Sequence, residues 1–102
     1  MGIDQIKDSL DIVIQRLRTK YNPEKVILFG SYAKGNADEA SDIDILVVSP
    51  AFKNRDMYDV YSELYGVMSD FEKDIQVFGT SKENLPKYKT FQHALETGVA
   101  IL

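Results

Sequence analysis

The stretch Val26-Ile27-Leu28-Phe29-Gly30-Ser31-Tyr32-Ala33-Lys34-Gly35, followed by Ser41-Asp42-Ile43-Asp44-Ile45-Leu46-Val47-Val48, decides how the rest of the chain is read. Val26 to Phe29 is a short apolar run that reads as a buried strand. It stops at Gly30-Ser31, where glycine lets a backbone approach a ligand closely. Residues 30–41 are rich in Gly, Ala, Ser and Asn, and a short helix is expected directly after Gly30-Ser31. Ile43 to Val48 forms the next strand, and Pro50 punctuates its exit. Under two-residue periodicity Asp42, Asp44 and Leu46 share one face of that strand, while Ile43, Ile45 and Val47 share the other.

The aspartate pair is the sharpest chemical feature. Side chains two positions apart on a strand stand about 6.5–7 Å apart at their α-carbons. Both can converge on one divalent ion, or on two ions sharing a ligand. Like charges at the mouth of an apolar strand repel unless a cation lies between them. Magnesium suits that place, because it prefers oxygen ligands, keeps waters and takes one or two protein carboxylates plus substrate phosphates. Alone, an Asp-x-Asp is a weak signal and reads first as a solvated strand entrance. Gly30-Ser31 changes the balance, since helix-start N–H groups with a serine hydroxyl make a phosphate nest, and Lys34 is near enough in sequence to neutralise phosphate oxygens. Neither Gly-x-Gly-x-x-Gly nor Gly-Lys-Ser/Thr is present. Asp74 opens a third apolar run, with Asp74 and Gln76 on one face and Ile75 and Val77 on the other. If that run neighbours the Asp42 strand, Asp74 supplies a third carboxylate, the metal-plus-base arrangement of phosphoryl transfer. Glu72 is close by, in a setting that favours it less.

Outward from this centre the pattern turns helical. Ile3, Ile6, Leu10, Val13 and Leu17 recur at spacings of three and four, with acidic residues early and basic ones late, as the helix dipole favours. Asn22-Pro23 closes that helix. Met57, Val60, Tyr61, Leu64, Tyr65, Met68 and Phe71 mark a second helix, containing Gly66. Thr80 with Glu83 reads as a capping box for a short final helix that Pro86 joins in its first turn. Val99 to Leu102 is apolar and reads as a fourth, edge strand. The order describes a small α/β or α+β domain, a single one spanning residues 1–102.

Composition removes whole classes of function. The 102 residues are 44% hydrophobic and 27% charged with a net charge of -4, which is neither disordered nor membrane-spanning. There is no cysteine, so thiolate metal sites and disulfides are excluded and a cytoplasmic, reducing setting is expected. A single histidine, His93, leaves oxygen chemistry for any metal. The acidic balance offers no long-range attraction for nucleic acid, which is not an expected partner.

Gly30-Ser31-Tyr32-Ala33-Lys34-Gly35 with Ser41-Asp42-Ile43-Asp44-Ile45-Leu46-Val47 resembles the nucleotidyltransferase superfamily of the DNA polymerase beta type, and within it the minimal, single-domain nucleotidyltransferases. Both halves of the signature occur in order, with Ser31 and Asp42 eleven positions apart. The resemblance implies a small mixed β-sheet with helices packed on one side. It implies that Gly30 and Ser31, with Lys34 beside them, contact nucleotide phosphates, that Asp42 and Asp44 coordinate magnesium, and that Asp74 joins them as third carboxylate and helps deprotonate the acceptor. It further implies transfer of AMP from ATP to a tyrosine hydroxyl of a helical partner, the HEPN-type toxin of a toxin–antitoxin pair. Tyr32 and Lys34 stand where the familiar form often has arginines. Two other readings follow from the same scaffold: an antitoxin that neutralises its partner by occlusion alone, and transfer to an RNA 3′ end. Tyr58, Tyr61 and Tyr65 are expected in the core or an interface, His93 is expected to be structural, and Lys82, Lys87 and Lys89 form a solvated basic patch. A homo-oligomer stays open.

Overall fold

The computed structural model describes residues 2–71 and 73–102. A 3-10 turn, Ile3–Ile6, runs into α1, Lys7–Tyr21, whose three-four spacing buries Leu10, Val13 and Leu17. The helix stops at Asn22, in the left-handed conformation with φ 44°, immediately before Pro23. There follow β1 (Lys25–Phe29), the one-turn α2 (Ser31–Lys34), β2 (Ile43–Val48), α3 (Met57–Val67), β3 (Ile75–Thr80), α4 (Lys89–Thr97) and β4 (Val99–Ala100).

The sheet is mixed, in the order β3-β2-β1-β4. β2 runs antiparallel to β1 and parallel to β3, and β4 lies antiparallel along the outer side of β1. The apolar tail does form an edge strand, and the Ile101 N–H extends it by donating to the Val26 carbonyl at 2.8 Å. Alternation along the strands makes two apolar layers. Val26, Leu28, Ile43, Ile45, Val47, Ile75 and Val77 meet the buried stripes of α1 and α3, so the two long helices share one side. On the other face Ile27, Leu46 and Val48 meet Leu85, Phe91 and Ala94, so α4 covers that face toward the end of β2 remote from its aspartates. At the near end Asp42, Asp44 and Gln76 remain half-exposed.

Two expectations are corrected. Thr80 does not cap a helix: it is the last residue of β3, its carbonyl accepts from the Ser49 N–H at 2.9 Å, and the turn after it is closed by the Ser81 hydroxyl. Pro86 sits in a separate 3-10 turn, Leu85–Lys87, and α4 starts only at Lys89. Of the three tyrosines, Tyr61 packs its ring 5.0 Å from that of Phe78, whereas Tyr58 and Tyr65 are 72% and 64% exposed. All three stand on one flank of α3, at three- and four-residue spacing, with Tyr61 nearest the sheet.

Candidate active site

Because β1 and β2 are antiparallel, the end of β1 and the start of β2 lie at the same end of the sheet. Phe29 is in register with Asp44. The chain then leaves β1 through Gly30, with φ 76° and ψ -152°, a conformation essentially restricted to glycine. A methyl group at Gly30 would fall on the Asp44 carboxylate oxygen Oδ2. The Gly30-Ser31 turn therefore lies directly against Asp44, and the two halves of the sequence signature meet in space. Ser31 opens α2 and is half-exposed, Lys34 closes it and is exposed, and Gly35 (φ 79°) turns the chain away.

Asp42 is delivered by a turn closed on itself. The Asp38 carboxylate accepts from the Ala40 N–H at 2.9 Å, and the Ser41 hydroxyl accepts from the Asp38 N–H at 2.9 Å. Asp42 and Asp44 then project from the same face of β2. The Asp44 carboxyl is raised above its ordinary pKa, first by burial and then by the negative charge of Asp42. A divalent cation would relieve that repulsion. The donor set fits magnesium: two oxygen ligands from the protein, with other positions left for water and phosphate.

The third carboxylate is placed differently. Asp74 is exposed just before β3, and its carbonyl accepts from the Ile43 N–H at 2.9 Å. It lines a cavity of about 200 Å³ together with Asp42, Gln76, Lys73, Tyr61 and Tyr65; Asp44 and Gly30 are not in its wall. Among the described residues, no group of three or more His, Cys, Asp or Glu side chains is gathered to hold a metal. The structure thus brings Asp42, Asp44, Gly30 and Ser31 to one end of the sheet, with Asp74 beside the start of β2 at the rim of the cavity that Asp42 also lines. Glu72 lies outside the described residues.

Two residues join the site that the sequence reading did not single out. Gln76 is in register with Asp44 on the neighbouring parallel strand, and its amide nitrogen donates to Asp42 Oδ2 at 2.9 Å. Its phase on the polar face of β3 was visible in the alternation, but only strand register brings it to Asp42. The Lys73 ammonium donates to the Glu39 carbonyl at 3.1 Å and lies 5.4 Å from the ring centre of Tyr32. Tyr32 itself is buried in the core at 1% exposure. His93 is exposed, as are Lys82, Lys87 and Lys89.

Comparison with known proteins places the chain in a family. The profile of the nucleotidyltransferase domain family matches residues 10–90. A Methanocaldococcus jannaschii protein named as a putative protein adenylyltransferase is 39% identical over 67% of this chain and 74% of its own length. A second protein of that organism bearing the same description is 37% identical over 54% of this chain, a match spanning only 39% of the relative. Among solved structures, a putative nucleotidyltransferase from Sulfolobus solfataricus superposes with a TM-score of 0.64 at 26% identity, covering 96% of this chain and 79% of the other. A toxin–antitoxin crystal structure with AMP-PNP superposes with a TM-score of 0.59 at 23% identity, over 90% and 71% of the two chains, and speaks for the fold alone.

Proposed function

Because the chain belongs to the nucleotidyltransferase domain family, we propose that it transfers AMP from ATP to a hydroxyl of a partner protein, a tyrosine of a helical HEPN-type toxin, with magnesium. The observation that carries this reading is the contact of the Gly30-Ser31 turn with Asp44, beside Asp42. Phosphate-binding backbone and metal-ligating carboxylates are then contiguous, as transfer of a phosphoryl group requires. In this reading Gly30 and Ser31 hold the terminal phosphates, Lys34 adds positive charge from the end of α2, and Asp42 and Asp44 hold magnesium. The acceptor oxygen bonds to the α-phosphorus as the bond to the bridging oxygen breaks, pyrophosphate departs, and Asp74 takes the hydroxyl proton at the cavity rim. Magnesium supplies charge neutralisation for the phosphates. Support for a protein acceptor comes from the description of the Methanocaldococcus relatives.

Calorimetric titration of ATP with magnesium, then with EDTA, tests the reading, with Asp42→Asn/Asp44→Asn as control. Metal-dependent binding that the double variant loses supports it. Equal heats from the folded variant and the parent, in the presence of the partner, overturn it. Neutralisation by occlusion is the second reading, and the exposed Tyr58 on α3 favours a partner surface there. A double variant that still neutralises the partner would select occlusion over catalysis.

A further inference from the structure

Resting on the nucleotidyl-transfer reading, we infer that Gln76 is the positioning residue of the metal site: it pins Asp42 and fills the third corner with a neutral amide, so that the protein's own ligands suffice for a single divalent ion.

The argument starts from register. β3 is the neighbour of β2 on the side away from β1. In a parallel pair, residues in register point to the same face, and Asp44 is in register with Gln76. A side chain at this position stands beside Asp44 and diagonally from Asp42. The hydrogen bond from the Gln76 amide to Asp42 Oδ2, 2.9 Å long, shows that it reaches them. Asp74 lies one pleat earlier, outside the strand and exposed.

Charge fixes the consequence. Two carboxylates balance one doubly charged cation. A third would leave an excess negative charge, which calls for a second cation or a lysine. Gln76 brings no charge, and it occupies one oxygen of Asp42 as a donor, leaving Oδ1 for the ion. Fixing a ligand's orientation through such an outer partner is a known determinant of metal affinity, and its loss typically costs about 10–100-fold. The amide also lowers the repulsion that otherwise acts between Asp42 and its neighbour, because it places a partial positive charge against the carboxylate.

The test is titration with Mn²⁺ alone, read as free ion by electron paramagnetic resonance, on the full chain and on Gln76→Glu, Gln76→Ala, Asp74→Asn and Asp42→Asn. Folding is checked by circular dichroism. The expected result is a single Mn²⁺ site that Asp42→Asn abolishes, Gln76→Ala weakens about tenfold, and Asp74→Asn leaves nearly unchanged. Gln76→Glu, close to the same shape, should bind Mn²⁺ at least about tenfold more tightly, because added ligand charge raises affinity. Unchanged affinity in both Gln76 variants overturns the inference while leaving the function standing. So does an Asp74→Asn loss as large as that of Asp42→Asn. Binding by the parent that survives Asp42→Asn, or no binding by any folded variant, overturns the functional reading together with the inference.

Discussion

Replacing one hydrogen of Gly30 by a methyl group probes the site at its narrowest point. Gly30→Ala must adopt a backbone conformation that costs about 1–3 kcal/mol for a side-chain-bearing residue, and its methyl must displace the Asp44 carboxylate. The expected outcome is a lowered melting temperature and loss of magnesium-dependent ATP binding, measured on the same preparation. Asp44→Asn should shift stability in the opposite sense. Ionising Asp44 works against burial and against Asp42, so the neutral variant should melt higher than the parent in EDTA. It should also lose the rise in melting temperature that magnesium gives the parent. At this scale much was legible: Gly30, Ser31, Asp42 and Asp44 stand out by residue type and spacing. Gln76 was not, because its partnership with Asp42 depends on which strand lies beside β2 and in what register, and neither is local in the sequence.

Among the elements, α1 and α3 are tied to each other as well as to the sheet. The Arg16 guanidinium forks onto Asp70 at 2.6 and 2.8 Å, donates to the Val67 carbonyl and lies over the Phe71 ring. This partner holds the Asp70 carboxyl down at about 2. Since the folded pKa lies below the unfolded one, the contribution is complete above the ordinary carboxylate range near about 4 and is lost as pH falls toward about 2. Acid titration of melting temperature should therefore be shallower for Asp70→Asn than for the parent across that window. Gly79 sets the approach of α3 to β3, because an added methyl would stand 2.6 Å from Val60 and 2.7 Å from Phe52. Gly79→Ala should cost about 1–3 kcal/mol by overpacking, read in urea unfolding. Periodicity located α1, α3 and the three main strands to within a few residues. It misplaced the start of α4, since a Thr-x-x-Glu pattern reads as a cap only where the threonine's backbone is not already engaged in a sheet.

Across the whole molecule, the mixed sheet is what no reading of periodicity could supply. The order β3-β2-β1-β4 puts the aspartate strand in the interior and both short-range neighbours on its flanks. It also makes the C-terminal tail the guard of an open edge. Ile101→Pro would remove the N–H that donates to Val26 and should lower the melting temperature. Among the described residues, the second face of the sheet carries its helix toward the far end of β2, so the aspartates occupy an open shelf beside the cavity that Asp42 lines. On such a shelf water competes with any acceptor for an activated nucleotide. A folded partner laid across it would be substrate and lid at once: it would bring the hydroxyl and, by the same docking, dry the site. Wasteful hydrolysis of ATP should thus be fastest for the chain alone and fall as partner is added, the reverse of what a self-contained pocket would do.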